Sequence, residues 1–509
     1  MKKILLASIV LLSYEAVIAQ TPEDALRYSW LQSSGTARSQ ALGNANGAIG
    51  GEVSTIFSNP ANIGFYKTGD FVISGGINLM NNSNTYYGET NKSNASSGFL
   101  GTTGFVLGKV NYGNSAVKSS AFGIAVNRTA DFNNNIMYKT TQANGGSLVR
   151  TSMANMFIED ANKSGLNNLN PYGSGVAYDT YWIDTLSNGS FYSSAKALAE
   201  ASGLEVKQEL ITSGGISEIA LAGAMNLNEK VYIGGTIGMP ILQYRATRKY
   251  TEQDPTDNAT NQFDVAYFDD DLITRGMGIN IKAGVVVKAT ENFRLGFAAH
   301  SPTFYSLTDN YTAAAGTSLE NYVTDDGGNA YDASTNELVY DYSLNTPYKL
   351  TGSFSYFFGN VNNVASQKGF ISGDVEYVNY MASHFRNASD ANSDNRAYFR
   401  QLNGAIDDAY KGALNARLGA ELKFNTFMAR LGGAYYGNPY RDVAGETGQV
   451  VQASTGVGYR NRGFFIDLGY VHSFGKDVSF PYRLESAAFN PATIKSSNSR
   501  ILLTLGFKI

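Results

Sequence analysis

The 509-residue sequence contains no cysteine and only three histidines, His300, His384 and His472. Disulfide staples, thiol nucleophiles and most zinc-site patterns are therefore excluded, and three widely spaced histidines give no metal-ligand spacing. Charge is scarce as well. Lys and Arg number 39 against 43 Asp and Glu, a formal net charge of −4, which offers nucleic acid no electrostatic footprint. After the first nineteen residues, no stretch nears the roughly 18 consecutive apolar residues of a membrane-spanning helix. Proline is limited to ten positions.

Motifs of chemistry are missing too. Gly214-Gly215 and Gly234-Gly235 lie in strand-like surroundings without the Gly-x-Gly-x-x-Gly turn of a nucleotide site. No Gly-x-Ser-x-Gly elbow has a strand–turn–helix context. Asp269-Asp270-Asp271 and the run from Asp325 to Gly328 lack the alternating oxygen ligands and terminal Glu of a calcium loop, and read as solvated loop acidity. The expectation is a protein that is not an enzyme and has no cofactor and no metal.

What is present is glycine (54 residues) and aromatic side chain (33 Tyr, 28 Phe). Met1-Lys2-Lys3, the apolar run Ile4 to Leu12 and Val17-Ile18-Ala19 have the order of a secretory signal peptide over residues 1–19, with cleavage leaving Gln20 first. An exported chain without disulfides must be held otherwise, and a closed hydrogen-bonded sheet suffices. Gln20 to Gln32 reads as a short helix, with Thr21 as cap and Pro22 in the first position.

From Asp70 onward the apolar period is two. Strands are expected near 70–78, 103–110, 121–127, 217–225, 231–244, 276–288, 293–300, 348–358, 370–381, 413–424, 427–436, 452–459, 464–474 and 500–509. A polar loop is expected at Asn81–Ser97, and His384–Tyr410 is a polar segment. Long loops are expected at about 129–210, with a helix at Ser190–Leu210, and at 301–344. Short turns alternate with long connections. About fourteen antiparallel strands with that asymmetry define an all-β transmembrane barrel, residues 69–509.

The faces agree with a barrel. Ile501, Leu503, Leu505, Phe507 and Ile509 share one side of the last strand, while Asn415, Arg417 and Glu421 oppose Leu414, Leu418 and Leu422 in another. A lipid-facing charge near the midplane costs about 2–4 kcal/mol, so Lys282, Arg294, Asp374, Glu376, Arg417, Glu421, Arg430 and Asp467 are expected to point into the lumen. There they can form cross-strand ladders or, through the guanidinium groups, hold a ligand carboxylate.

Ahead of the strands, Gly35–Tyr66 is rich in small residues and ends in Asn59-Pro60-Ala61-Asn62-Ile63-Gly64. It is compact enough for a plug, and equally reads as a loop with an Asn-Pro turn. Ala41-Leu42-Gly43-Asn44-Ala45 and Ile56-Phe57-Ser58-Asn59-Pro60-Ala61 resemble the N-terminal motifs of the FadL/TodX family of outer-membrane transport proteins. Asn62 stands where that family usually has Gly. Asn292-Phe293-Arg294-Leu295-Gly296 and His300-Ser301-Pro302-Thr303 are similar to it as well.

The resemblance implies a hatch over residues 20–68 inside the barrel, with Asn59, Pro60, Ala61 and Gly64 as its signature. It implies passive transport of hydrophobic small molecules, long-chain fatty acids or aromatic compounds, across a Gram-negative outer membrane, with lipid around the barrel. A rival is a non-transporting barrel subunit of an outer-membrane secretion or assembly complex. An apolar path from loops to lumen favours the first; a hatch sealed by ion pairs beneath polar docking loops favours the second.

Overall fold

The computed structural model describes residues 20–509 except 31–33, 113, 143–146, 257, 323, 325–326, 360–366, 388–392, 442–447 and 485–489. The expected signal peptide, Asp325 and Asp326 lie outside the described residues.

Fourteen strands close one antiparallel barrel. In chain order they are β1 (Asp70–Tyr86), β2 (Glu89–Leu100 and Thr103–Val110), β3 (Val117–Asp131 and Asn134–Lys139), β4 (Glu205–Leu227) and β5 (Val231–Gln253). Then come β6 (Val265–Lys288), β7 (Phe293–His300 and Phe304–Ser318), β8 (Leu338–Asn345 and Lys349–Gly359) and β9 (Gln367–Asn379 and His384–Asn387). The last five are β10 (Gly412–Phe424), β11 (Phe427–Tyr436), β12 (Val450–Asn461), β13 (Phe464–Ser479) and β14 (Ala492–Lys508). Each pairs with its neighbour, and β1 closes on β14 from Asp70↔Lys508 to Thr85↔Thr493.

Alternation of side chains makes these strands and sorts their faces. In β10, Leu414, Leu418 and Leu422 are 60%, 56% and 51% exposed, while Asn415, Arg417 and Glu421 between them are buried. Ile237, Ile241, Ile281, Leu295, Phe297 and Phe354 continue the outward apolar surface onto other strands. A soluble protein would not leave such a surface uncovered; hydrocarbon is the solvent that suits it. Near the short-turn end, Phe71, Phe424, Phe427 and Phe507 stand exposed as part of an aromatic girdle.

Three expected loops are instead strand. Asn81–Ser97 is the polar upper half of a β1–β2 hairpin, turning at Tyr87-Gly88 with φ of 46° and 87°. Its Asn and Ser lie above the apolar belt, where period-two hydrophobicity vanishes although the ladder continues. Most of Ser301–Leu344 likewise forms strand, in β7, β8 and an added hairpin strand at Ala330–Ser334. Asp269, Asp270 and Asp271 lie in β6 opposite Lys249, Arg248 and Thr247, a cross-strand ladder and not a loop.

The long connection from β3 to β4 holds α3 (Ala154–Ser164), α4 (Ser174–Asp179) and α5 (Ser194–Ala201). The helix expected over Ser190–Leu210 stops at Ala201, because Glu205 onward has already joined β4. A helix absent from the sequence reading, α6 (Ser393–Ala409), fills part of His384–Tyr410. We name the N-terminal helices αA (Pro22–Ser29) and αB (Ala37–Ala41). Thr21 and Asp24 form a capping box on αA, with Pro22 in its first turn as the sequence suggested.

Candidate functional site: the lumen and its filling

Residues 34–66 run through the barrel interior. Ala37, Ala41, Ala45, Ala48, Ile56, Ala61 and Ile63 are fully buried, although the segment has too few large side chains to form a core alone. Small residues let its backbone touch the wall. A methyl group on Gly432 of β11 would overlap the backbone at Leu42-Gly43, and one on Gly284 of β6 would overlap the Asn59 amide.

Asn59 caps the 3-10 turn Pro60–Phe65 by accepting from the Ala61 N–H at 3.2 Å, and donates through Nδ2 to the Gly47 carbonyl at 2.8 Å. Pro60 starts that turn, and Gly64 offers its carbonyl to Ser119 Oγ of β3 at 3.3 Å. Asn62, the departure from the family motif, is fully buried and donates to the carbonyls of Gly47 and Asn59. An amide there joins the two halves of the segment, which glycine cannot do.

The inward charges bolt this segment to the wall. Arg38 of αB reaches Glu421 of β10 at 2.9 Å and Glu52 at 3.4 Å. Arg430 of β11 bridges Glu421 at 2.8 Å and Asp467 of β13 at 2.7 Å. These five groups alternate in sign and are all buried. Asp374 of β9 accepts from the backbone N–H of Asn46 at 3.2 Å and of Gly47 at 3.3 Å. Arg294 of β7 donates to the Ile49 carbonyl at 2.5 Å, with its guanidinium between the rings of Phe65 and Phe357. Sequence reasoning did not single out Arg38 or Glu52; two charges inside a run of Gly, Ala and Ser were the available signal.

Beside the segment lies a polar cavity of about 100 Å³. Glu376 takes hydrogen bonds from Arg417 at 2.6 Å and Asn415 at 2.9 Å on its rim, and Lys282 pairs with Glu218. His300, Lys349, Asp374 and Asn59 complete the polar lining. Strands β7, β8 and β9 all break at this level, between His300 and Phe304, Asn345 and Lys349, and Asn379 and His384. Side chains stitch the breaks: Thr346 Oγ1 accepts from the Thr303 N–H at 2.9 Å, and Ser301 Oγ from the Ile281 N–H at 2.9 Å.

The same cavity extends to Ser34, Asn127 and Thr129, at an irregularity in the wall. Below Gly101-Thr102, β2 ladders with β3 from Thr103↔Val126 to Val110↔Ser119. Above it, Glu89–Leu100 pairs with β1 alone, and the β1–β2 register slips by one residue between Val72↔Gly104 and Gly75↔Leu100. Side chains replace the missing ladder. Thr102 Oγ1 donates to Asn127 Oδ1 at 3.0 Å, and Asn127 Nδ2 to Ser34 Oγ at 2.8 Å. Higher up, Asn84 Nδ2 bonds the Met137 carbonyl at 2.8 Å and Ser93 Oγ that of Asn135 at 2.7 Å. Exposed Leu100 and Ile77 place the lower end of this seam within the apolar belt.

Toward the long-loop end the filling turns apolar. Leu26 and Tyr28 of αA pack on Leu242, Tyr244, Leu307, Tyr342 and, from α6, Phe399 and Ile406. The mouth is covered by Phe157, Trp182, Leu198, Tyr250, Phe268 and Tyr482. Glu252 organises that cover. Its buried carboxylate accepts from Met153 N at 3.0 Å, Trp182 Nε1 at 2.9 Å, Tyr250 OH at 3.1 Å and Ser152 Oγ.

A closed, antiparallel fourteen-strand barrel with this connectivity is the FadL-type fold. It is similar over 93% of its length to the structure of a Pseudomonas aeruginosa FadL homologue, matching 98% of that chain at 12% identity and a TM-score of 0.53. The P. putida toluene transporter TodX matches over 94% of this chain and 99% of its own, at 12% identity and a TM-score of 0.51. No family model matches the sequence, and no curated protein does.

Proposed function

We propose that this protein is a passive channel of a Gram-negative outer membrane for hydrophobic or amphipathic small molecules, and that its ligand leaves sideways into the bilayer. The observation that carries this reading is the seam between β2 and β3. It opens within the apolar belt, and Ser34 and Asn127 line both it and the central cavity. Hydrocarbon at the exit makes a lateral path suitable for an apolar ligand, which gains about 25 cal/mol per Å² on leaving water. The likeness of the fold to TodX, named a toluene transporter, supports it. In this reading residues 20–68 act as the hatch, with Asn59, Pro60, Ala61 and Gly64 holding its lower turn, and the inward charges hold the hatch in place.

The absence of cysteine makes the test clean. Thr102→Cys and Asn127→Cys should cross-link across the seam when oxidised. Uptake of a labelled acyl or monoaromatic compound by cells should fall with oxidation and return with reductant. Unchanged uptake in the fully cross-linked protein refutes the lateral route.

The five-charge cluster at Arg38 and Arg430 favours a second reading, a sealed barrel serving a secretion or assembly complex. Mass spectrometry after mild detergent extraction separates the two. A reproducible co-extracted acyl or aromatic compound supports the channel; a stoichiometric protein partner without ligand supports the sealed subunit.

A further inference from the structure

Gln20 lies deep inside the barrel, 3% exposed, where a chain terminus is not expected. Its Nε2 donates to Asp309 Oδ2 at 3.4 Å, and its carbonyl accepts from Tyr398 OH of α6 at 3.2 Å. Asp309 is 1% exposed on the inner face of β7. Thr274 Oγ1 at 2.6 Å and Tyr342 OH at 3.1 Å donate to its other oxygen, and Tyr28 OH of αA donates in turn to Thr274.

Among the described residues, Asp309 is in no ion pair with Lys, Arg or His; Arg27, on the same helix as Tyr28, is taken by Asp24. Asp309 has three neutral donors, and a carboxylate so deeply buried is costly unless donors or a cation face it. The same holds for an ammonium.

We propose that the α-ammonium created at Gln20 by removal of the leader is the counter-ion of Asp309, so that maturation itself anchors αA inside the barrel. This rests on the export reading, in which cleavage follows Ala19. The side chain of Gln20 already reaches the carboxylate, which sets this residue beside the acid. Uncleaved, position 20 would carry a neutral amide, and both the charge and the lock would be missing. The site therefore belongs to a primary amine at the head of this chain. N-terminal glutamine that cyclises to pyroglutamate would lose that amine and the lock with it.

The test uses the full protein, exported and purified from membranes. Intact mass should match a chain that begins at Gln20 and retains its amine. A different first residue overturns both the cleavage reading and this inference, and a mass lighter by one ammonia overturns the inference alone. In the folded barrel, an amine-reactive reagent at neutral pH should label the terminus at least about tenfold more slowly than in denatured protein, since a buried group reacts only through opening. Labelling at the denatured rate overturns the inference. Asp309→Asn and a variant with one alanine inserted before Gln20 should each lower the unfolding temperature, and combining them should add little. Full additivity overturns the pairing, and the labelling experiment on the unaltered protein stands if a variant fails to assemble.

Discussion

A single carboxylate, Glu421, illustrates how the interior is built residue by residue. It takes hydrogen bonds from Arg38 of the N-terminal segment and from Arg430 of the wall, and so joins the Arg38–Glu52 and Arg430–Asp467 pairs into one cluster. Glu421→Gln keeps the shape but removes a charged acceptor shared by two buried guanidinium groups, leaving Arg38 with Glu52 and Arg430 with Asp467. The expected loss is about 3 kcal/mol, the scale of hydrogen bonds to charged groups, read as a lower temperature for the heat-induced mobility shift on gels. Unchanged thermal behaviour would mean that water already solvates the cluster. Glu421 and Arg430 were legible as inward-facing from strand period alone. Their partner Arg38 was not, because nothing in the local sequence tells which distant strand a segment inside the lumen will touch.

Among elements, the long β3–β4 connection depends most on one anchor. Glu252 satisfies four donors, three of them from residues 152–182. Glu252→Ala leaves those donors buried and unsatisfied, at about 1–3 kcal/mol each, enough to loosen the cover without opening the barrel. Trypsin added to whole cells should then cut at Arg150, Lys163 or Lys196, and should spare them in the unaltered protein. Equal resistance would show that apolar packing alone holds the cover. The strands were readable wherever one face meets lipid. Beyond the belt both faces are polar, so the extensions of β1 and β2 looked like loop. The seam escaped for a related reason, since Gly101 and Thr102 carry no period of their own.

For the molecule as a whole, the balance between wall and filling is the central property. The wall is a closed circuit of backbone-bonded strands, interrupted at the seam and at the breaks in β7, β8 and β9, whereas the filling is held by side chains, ion pairs and small-residue contacts. Deleting residues 20–66 should therefore leave a barrel that assembles and keeps its heat-modifiable mobility. Its lumen would be lined by Arg, Glu, Asp and Lys, and planar-bilayer recordings should give a large, stable conductance absent from the intact protein. A barrel that no longer assembles would show that the wall needs its filling to close. The count of fourteen strands was available from sequence because turns and apolar faces repeat, but the charged cavity was not, because it arises only where β7, β8 and β9 break side by side.

The route of residues 34–66 through the lumen also fixes an order in time. Their hydrogen-bond partners Asp374, Glu421, Ser454 and Thr504, on β9, β10, β12 and β14, are among the last parts of the chain to be made, although the segment itself is among the first. The first and last strands then seal the cylinder by pairing with each other. A segment hydrogen-bonded to four late strands cannot be threaded into a finished cylinder without breaking the wall. It must wait, unpaired, until those strands surround it, and the joining of β1 to β14 is the step that traps it.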